Sequence, residues 1–137
     1  MRDCLFCTIV NKEIPCYSVY EDDQCLAFLD ISQATLGHTL VVCKEHYPSL
    51  LEIPAPLLAH LMKVAQKIAQ AQMQRKGVKG INILNNCQKV AGQAIMHFHL
   101  HVIPRFTNDD LKFDFQKHSL SPEEFLELAS EIKKSLV

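Results

Sequence analysis

Short apolar segments separated by polar turns or glycine occur in two groups, one on either side of a longer segment with a different pattern. Short apolar runs bounded by turn residues are typical of β-strands, and strict alternation indicates a strand with one buried face. On this basis we expect strands at residues 17–20, 25–29, 39–43, 80–85 and 97–104. The polar tetrapeptide at residues 21–24 predicts a turn between the first two strands.

Residues 55–76 have the period of a helix instead. Apolar residues recur there at intervals of three and four and form one stripe, which comprises Leu57, Leu58, Leu61, Val64, Ala65 and Ile68. Pro54 and Pro56 fit a helix start, and Gly77 fits a C-terminal stop. The pattern predicts one long amphipathic helix with a single buried face.

A second helix is predicted in SPEEFLELASEIKKSL, residues 121–136. We expect Ser121 to be its N-cap, with Pro122 at the first helical position and Glu124 completing a capping box. Lys133 and Lys134 lie where the helix dipole favours positive charge.

The order of these elements predicts an α+β fold with an antiparallel sheet of about five strands, one long helix and a C-terminal helix. The chain contains no repeat, no low-complexity segment and no Gly/Ser linker. We therefore expect residues 1–137 to form a single domain.

Composition narrows the classes of function. With 14 basic against 15 acidic side chains, the formal net charge is −1, without the basic excess of a protein that binds duplex nucleic acid. No apolar run reaches the roughly 18 residues that a membrane span requires, and the N-terminal segment has no signal-peptide core. We expect a cytoplasmic protein whose six cysteines are thiols or metal ligands.

The most informative segment is MHFHLH, in which His97, His99 and His101 occupy alternate positions. On a strand, alternate side chains share one face, so the three imidazoles would lie about 6.5–7 Å apart. The intervening residues are apolar, as the buried face requires. Metal ligation, catalysis and an exposed polar strand face all fit the alternation, but three histidines in five residues favour chemistry.

The segment before this strand contains Asn85 and Asn86, and then Ala91-Gly92-Gln93. Glycine permits close approach of the backbone, and successive N–H groups in such a loop can hold a phosphate. Beside three histidines, the loop suggests a phosphate that faces an imidazole.

Cys4 and Cys7 form a C-x-x-C motif, which is a common half of a zinc site. No second C-x-x-C follows, so the other ligands would come from distant histidines, such as His46 and one residue of the run. A pair of buried thiols and a redox dithiol are the alternatives, although the βαβ context of a thioredoxin-like dithiol is absent.

Taken together, these motifs resemble the histidine triad (HIT) family. The triplet is followed by Val102-Ile103-Pro104-Arg105 and preceded by Ala91-Gly92-Gln93. The segments CLFCTIVNKEIP, VYEDDQCLAFLDIS and GHTLVVCKEH extend the resemblance over nearly the whole chain, to the zinc-bearing bacterial type in the nucleoside-phosphoramidase-like branch.

The resemblance implies a nucleotide hydrolase or transferase that cleaves at the α-phosphate of purine nucleoside conjugates, of the adenosine 5′-phosphoramidate type. His99 would attack phosphorus and form a nucleotidyl-histidine intermediate, and His101 would contact the phosphate and assist proton transfer to the leaving group. These roles suit imidazole, which is a good nucleophile near neutral pH.

The resemblance also assigns binding residues. Asp30 and Ile31 would border the nucleoside, with the Asp30 carboxylate accepting hydrogen bonds from the ribose. The phosphate would be surrounded by Asn86, Gly92, Gln93 and Ala94. One structural zinc per chain would be held by Cys4, Cys7, His46 and His97. His38 would support the site from behind, while His60 and His118 are expected to be solvated.

Two further expectations follow from the resemblance. Members of this branch tend to form homodimers through the long helix and a sheet edge. Many of them carry Ser where this chain has Ala94, so a hydroxyl donor is missing here and we expect slower turnover or a shifted leaving-group preference. Three alternatives stay open: a dinucleoside polyphosphate hydrolase, a nucleotide-binding regulatory module with little catalysis, and a catalytic metal bound by all three histidines.

Overall fold

The computed structural model of the protein describes residues 3–136. Its helices are α1 (Leu5–Val10), α2 (Ala55–Met73) and α3 (Pro122–Ser135), and its strands are β1 (Ser18–Glu21), β2 (Cys25–Leu29), β3 (Thr39–Cys43), β4 (Val78–Leu84) and β5 (His99–Phe106). A short 3₁₀ turn (Lys89–Ala91) precedes β5. The predicted α+β architecture is confirmed.

The five strands form one antiparallel sheet in the order β1-β2-β3-β5-β4. β2 and β3 have the predicted bounds, whereas β4 begins two residues earlier and β5 two residues later than the alternation indicates. β5 lies between β3 and β4, and pairs with β3 through residues 99–102 and with β4 through residues 101–106. The histidine strand is therefore an interior strand with a fixed register.

The two faces of the sheet are covered by different helices. α2 packs on one face, where Phe98, Leu100 and Val102 join its apolar stripe in the larger core. On the other face, Phe6 and Ile9 of α1 pack in a second cluster with residues of β2 and β3. Because side chains alternate along β5, His99 and His101 lie on the α1 face.

α2 ends at Met73 rather than near residue 76, and Gln74 caps it. The chain then turns through Gly77, whose φ is +87°, a conformation that favours glycine. The predicted stop residue therefore belongs to the turn after the helix.

α3 begins with the predicted capping box, in which Ser121 and Glu124 exchange side chain–backbone hydrogen bonds. Its apolar side chains face solvent, among them Phe125, Leu126 and Ile132. No helix in residues 3–136 is both long and apolar enough to cross a membrane.

Candidate functional site

A cavity of about 440 Å³ opens on the α1 face of the sheet. Its apolar wall comprises Leu5, Phe6, Ile9, Ile14, Pro15, Phe28, Leu40 and Ile95. Its polar lining includes Asp30, Ser32, Asn86, His99 and His101. This volume and this mixture are typical of a small-molecule site.

His99 is buried and presents one ring nitrogen to the cavity. Its Nδ1 lies 2.7 Å from the carbonyl oxygen of His97; because a carbonyl only accepts, Nδ1 must carry the proton and Nε2 keeps its lone pair. Asn85 Nδ2 donates to the His99 carbonyl at 3.0 Å, which fixes the main chain at this position. Burial lowers the pKa of His99, so the ring is held in its neutral, nucleophilic form.

His101 is oriented by His38. The backbone N–H of Ala34 donates to His38 Nδ1 at 3.1 Å, so the His38 proton lies on Nε2. That nitrogen is 2.8 Å from His101 Nδ1, which therefore accepts and leaves the His101 proton on Nε2. Burial lowers the pKa of His101 to about 4, so the ring is a neutral donor near pH 7.

Asp30 lies directly beyond β2, at the polar edge of the cavity. Its Oδ1 accepts from the Ser32 N–H at 2.8 Å, and its Oδ2 lies 3.6 Å from His38 Nε2. Ile31 is 88% exposed and borders the mouth of the cavity. A ligand would bring apolar surface against Ile31 and hydroxyl donors to Asp30.

The loop before β5 supplies Asn86, Gly92 and Ala94 to the cavity lining. Gly92 has a φ of +98°, and a Cβ there would lie 3.4 Å from Asn86 Nδ2. The positive φ of the turn, rather than crowding by Asn86, therefore favours glycine at this position. Ala94 is exposed toward the cavity, so its methyl group stands where a larger side chain would meet a ligand.

The side chain of Gln93 turns into the protein, which leaves its main chain for the predicted contact with a phosphate. The residue is 4% exposed, and its Nε2 donates to the carbonyls of Pro48 and Ile95 at 2.7 and 3.0 Å. Its Oε1 accepts from the Gln88 N–H at 2.9 Å. The amide thus connects the loop before β5 to the segment at Pro48 and supports the residues that line the cavity.

Four potential metal ligands meet behind the cavity: Cys4, Cys7, His46 and His97. His97 Nδ1 lies 3.3 Å from Cys4 Sγ, 3.5 Å from Cys7 Sγ and 3.1 Å from His46 Nδ1. Tetrahedral zinc would place two nitrogens about 3.3 Å apart, and nitrogen and sulfur about 3.6 Å apart. These three separations fit a tetrahedral site, and all four donor atoms lie within 4.8 Å of one another.

The second nitrogen of His97 fixes its tautomer. Nε2 donates to the Cys43 carbonyl at 2.7 Å, so Nδ1 has its lone pair free for a metal. Burial lowers the pKa of His97 to about 4. The Phe6 ring packs edge-on against His97 and His99, at centroid distances of 5.9 and 5.0 Å, and so connects the cysteine–histidine cluster to the cavity wall.

The environment of His60 differs from the prediction that this side chain is solvated. Its Nε2 lies 2.7 Å from Asp22 Oδ2, and its side chain is only 30% exposed. The β1–β2 turn folds against α2, which brings together residues 38 positions apart. His118 is exposed, as expected.

The apolar wall was not anticipated from the sequence. α1 has six residues, which is too short for a reliable helical period. The spacing of Phe6 and Ile9 was its only signal. In the folded chain, Cys4 caps α1, because its Sγ accepts from the Cys7 N–H at 3.4 Å. The cysteine pair therefore helps to position the helix that carries this part of the wall.

Comparisons with known proteins agree with this geometry. A model of the HIT domain family matches residues 11–108. A HIT-like protein of Borreliella burgdorferi is 46% identical over 99% of this chain and 100% of its own length. An adenylylsulfatase (HINT3) of Arabidopsis thaliana is 38% identical over 98% of this chain and 70% of its own. An adenosine 5′-monophosphoramidase (hnt1) of Schizosaccharomyces pombe is 34% identical over 97% and 98%.

Solved structures share the fold over almost the full length. A HIT family protein from Bacillus subtilis superposes with a TM-score of 0.92, at 39% identity, covering 98% of both chains. A zinc-bound histidine triad family protein from Mycobacterium smegmatis has a TM-score of 0.78 and 35% identity, covering 98% of this chain and 99% of its own.

Proposed function

Since the chain belongs to the HIT family, we propose that it hydrolyses adenosine 5′-phosphate conjugates at the α-phosphate, through a covalent intermediate on His99. The observation that carries the proposal is the pairing of a buried neutral His99 with a cavity that His101 also lines. Two relatives are named as an adenylylsulfatase and an adenosine 5′-monophosphoramidase. The substrates that these names denote both contain an adenylyl group with a leaving group on its phosphate.

The first step is attack by His99. Its Nε2 lone pair forms a bond to the α-phosphorus, and the bond from phosphorus to the leaving nitrogen or oxygen breaks. The hydrogen bond from Nδ1 to the His97 carbonyl holds the attacking tautomer, and it strengthens as the ring gains positive charge. A covalent step divides one difficult displacement into two easier ones.

Departure of the leaving group requires a proton, which solvent supplies, and His101 assists by donating an Nε2–H hydrogen bond to the departing atom. His38 keeps the His101 proton on Nε2 by donating to His101 Nδ1, so the histidine pair sets this donor before substrate binds. In the second step, water attacks phosphorus and loses its proton to solvent, and the His99–phosphorus bond breaks to release the nucleotide.

The cavity suggests how the substrate is oriented. The base would lie against the apolar wall that includes Phe6, Ile9 and Phe28, and the ribose hydroxyls would donate to Asp30. The phosphate would face Asn86 and the backbone around Gly92 and Ala94. In this arrangement one nucleoside monophosphate unit occupies the cavity, so the leaving group on its phosphate extends outside it.

We also propose that Cys4, Cys7, His46 and His97 hold one structural zinc ion. When bound, zinc supplies a four-coordinate cross-link with no open position for substrate. In this chain the ion would hold α1 in position through Cys4 and Cys7, and α1 in turn positions Phe6 in the cavity wall. Both cysteines must stay reduced to bind metal. The described structure has all six cysteines as free thiols, which fits the reducing interior of a cell.

The direct test is AMP release from adenosine 5′-phosphoramidate by wild type and His99→Ala, at matched zinc content. We expect kcat to fall by at least about 1,000-fold in the variant, because the nucleophile is lost. His118→Ala is the matched control, since it removes an exposed histidine outside the cavity. Unchanged turnover in His99→Ala would disprove the mechanism.

A dinucleoside polyphosphate hydrolase would use the same nucleophile with another leaving group. Comparing kcat/KM for the phosphoramidate and a diadenosine polyphosphate separates the two. A regulatory binding module would instead show AMP binding in calorimetry, retained in His99→Ala, with no turnover of either compound by wild type. A catalytic metal bound by all three histidines would require metal loss in His99→Ala.

A further inference from the structure

A second group of metal-ligating side chains lies away from the nucleotide cavity, beside α2. Asp22 belongs to the β1–β2 turn, Cys25 is the first residue of β2, and His60 lies on α2. One ligand atom of each lies within 4.8 Å of the other two. The group shares no residue with the Cys4–Cys7–His46–His97 cluster.

The carboxylate of Asp22 is held in place before any ion arrives. Its Oδ1 accepts from the backbone N–H groups of Gln24 and Cys25, both at 2.8 Å. Its Oδ2 accepts from the Tyr20 hydroxyl at 2.9 Å and lies 2.7 Å from His60 Nε2. Such outer contacts orient a ligand toward a metal and reduce the ordering that binding requires.

Burial and charge also suit a divalent ion. Cys25 is fully buried, whereas the side chains of Asp22 and His60 are 20% and 30% exposed, so an ion can enter from their side. One thiolate and one carboxylate together neutralise two positive charges, which limits the cost of placing the ion near the core. Thiolate, imidazole and carboxylate are the donor types that zinc and cobalt accept.

From this convergence we propose that Asp22, Cys25 and His60 form a second transition-metal site, which takes Zn²⁺ with water at the fourth position. The ion replaces the thiol proton of Cys25, which is released to solvent, while His60 binds through Nε2 with its ring proton on Nδ1. The Asp22–His60 separation then widens by about 0.6 Å to a tetrahedral edge. The bound ion cross-links the β1–β2 turn to α2.

The site is separate from the first one, although the two are structurally connected. Cys25 lies opposite Cys43 in the β2–β3 register, and the Cys43 carbonyl accepts from His97. With three protein ligands rather than four, the second site is expected to bind Zn²⁺ more weakly. The proposal does not depend on nucleotide hydrolysis.

The test measures zinc per chain after equilibration with buffered Zn²⁺, for wild type, His60→Gln and Cys4→Ala, with His118→Gln as the control. We expect two zinc ions in wild type and in the control. We expect one in His60→Gln and one in Cys4→Ala. Titration should show the weaker site losing more than about 100-fold in affinity in His60→Gln.

Cobalt substitution gives an independent readout, because thiolate ligation produces a charge-transfer absorption that counts thiolates. Cys25→Ala should remove the second cobalt ion together with its share of this absorption, while circular dichroism confirms the fold. One zinc in wild type at saturating Zn²⁺ would overturn the proposal. So would a second zinc that persists in His60→Gln and disappears in His101→Gln, since that result would place it at the nucleotide cavity.

Discussion

At the residue scale, the site depends on which ring nitrogen of each histidine carries a proton. The Ala34 N–H fixes the tautomer of His38, and His38 fixes that of His101, so one backbone donor sets the protonation of a side chain at the cavity. The His97 carbonyl fixes His99. Three imidazoles of similar intrinsic pKa thereby acquire different roles through their neighbours.

Ala94→Ser should increase turnover of adenosine 5′-phosphoramidate. Ala94 lines the cavity, and a hydroxyl there would add one donor to the phosphate as charge develops on it. One such hydrogen bond is worth about tenfold in kcat. Steady-state kinetics measures the effect, with Ala94→Val as the control for side-chain bulk. A serine variant no faster than wild type would show that the missing hydroxyl does not limit turnover.

The stability of the fold should fall as pH decreases from about 6.5 to about 4, in part because of His101. Burial lowers the pKa of folded His101 from 6.5 to about 4, whereas the unfolded imidazole takes its proton near 6.5. The unfolded state therefore binds more protons across this window, and acidification favours it.

Urea unfolding at pH 7 and pH 5 tests this linkage in wild type, His101→Gln and the exposed-site control His118→Gln. The glutamine at residue 101 does not titrate, so the loss of stability between the two pH values should be smaller in that variant than in wild type. The control should follow wild type. An identical loss in all three proteins would contradict the assignment.

At the element scale, α1 is the helix that most needs outside support. It has only six residues, and an isolated helix of that length does not form in water. Cys4 is its N-cap and Cys7 lies in its first turn, while Phe6 and Ile9 pack in the smaller core cluster. A metal cross-link at its N-terminus would supply the order that its own hydrogen bonds cannot.

Removing the metal should therefore loosen α1 and destabilise the protein. At free zinc 1,000-fold above its dissociation constant, the linkage contributes about 4 kcal/mol to the free energy of unfolding. Urea unfolding with buffered zinc and with a chelator measures it in wild type, Cys7→Ser and the control Cys87→Ser. We also expect Cys7→Ser to weaken AMP binding about tenfold, because Phe6 forms part of the cavity wall and ordering it costs free energy. Equal stability with and without zinc would exclude a structural role.

At the scale of the whole molecule, α2 and the edge strand β4 share an exposed apolar surface. It includes Met62 and Ile83, which are 46% and 40% exposed. A groove there is lined by the apolar side chains of Ala59, Met62, Ala69, Ile81 and Ile83, with Lys63 and Gln66 beside them. We propose that this surface is the homodimer interface, because an edge strand and an adjacent apolar groove are costly to leave in water.

Light scattering after size exclusion should accordingly give twice the chain mass. Met62→Glu would place a charge in the centre of the interface and should raise the dimer dissociation constant by at least about 100-fold. Leu36→Glu is the control, since it introduces the same charge at an exposed apolar residue outside this surface. A monomer in wild type, or a dimer unaffected by Met62→Glu, would reject the interface.

The sequence by itself determined the features that depend on near neighbours. Periodicity and local hydrogen bonding account for the bounds of β2 and β3, the capping box at Ser121, the apolar stripe of α2 and the shared face of His99 and His101. The family resemblance named the same cysteine–histidine set. Of the cavity lining it named Asp30, Ile31, Asn86, Gly92, Ala94, His99 and His101, but no residue of the apolar wall.

Tertiary structure decided what depends on residues far apart in the chain. Cys4 and His97 are 93 positions apart, His38 and His101 are 63 apart, and Asp22 and His60 are 38 apart. No local period encodes such pairs, because strand order and helix docking set them. The same cause explains Gln93, whose buried amide donates to the carbonyl of Pro48, 45 positions away. Which ring nitrogen faces a ligand, and which polar side chain faces the protein, is fixed only when the chain has folded.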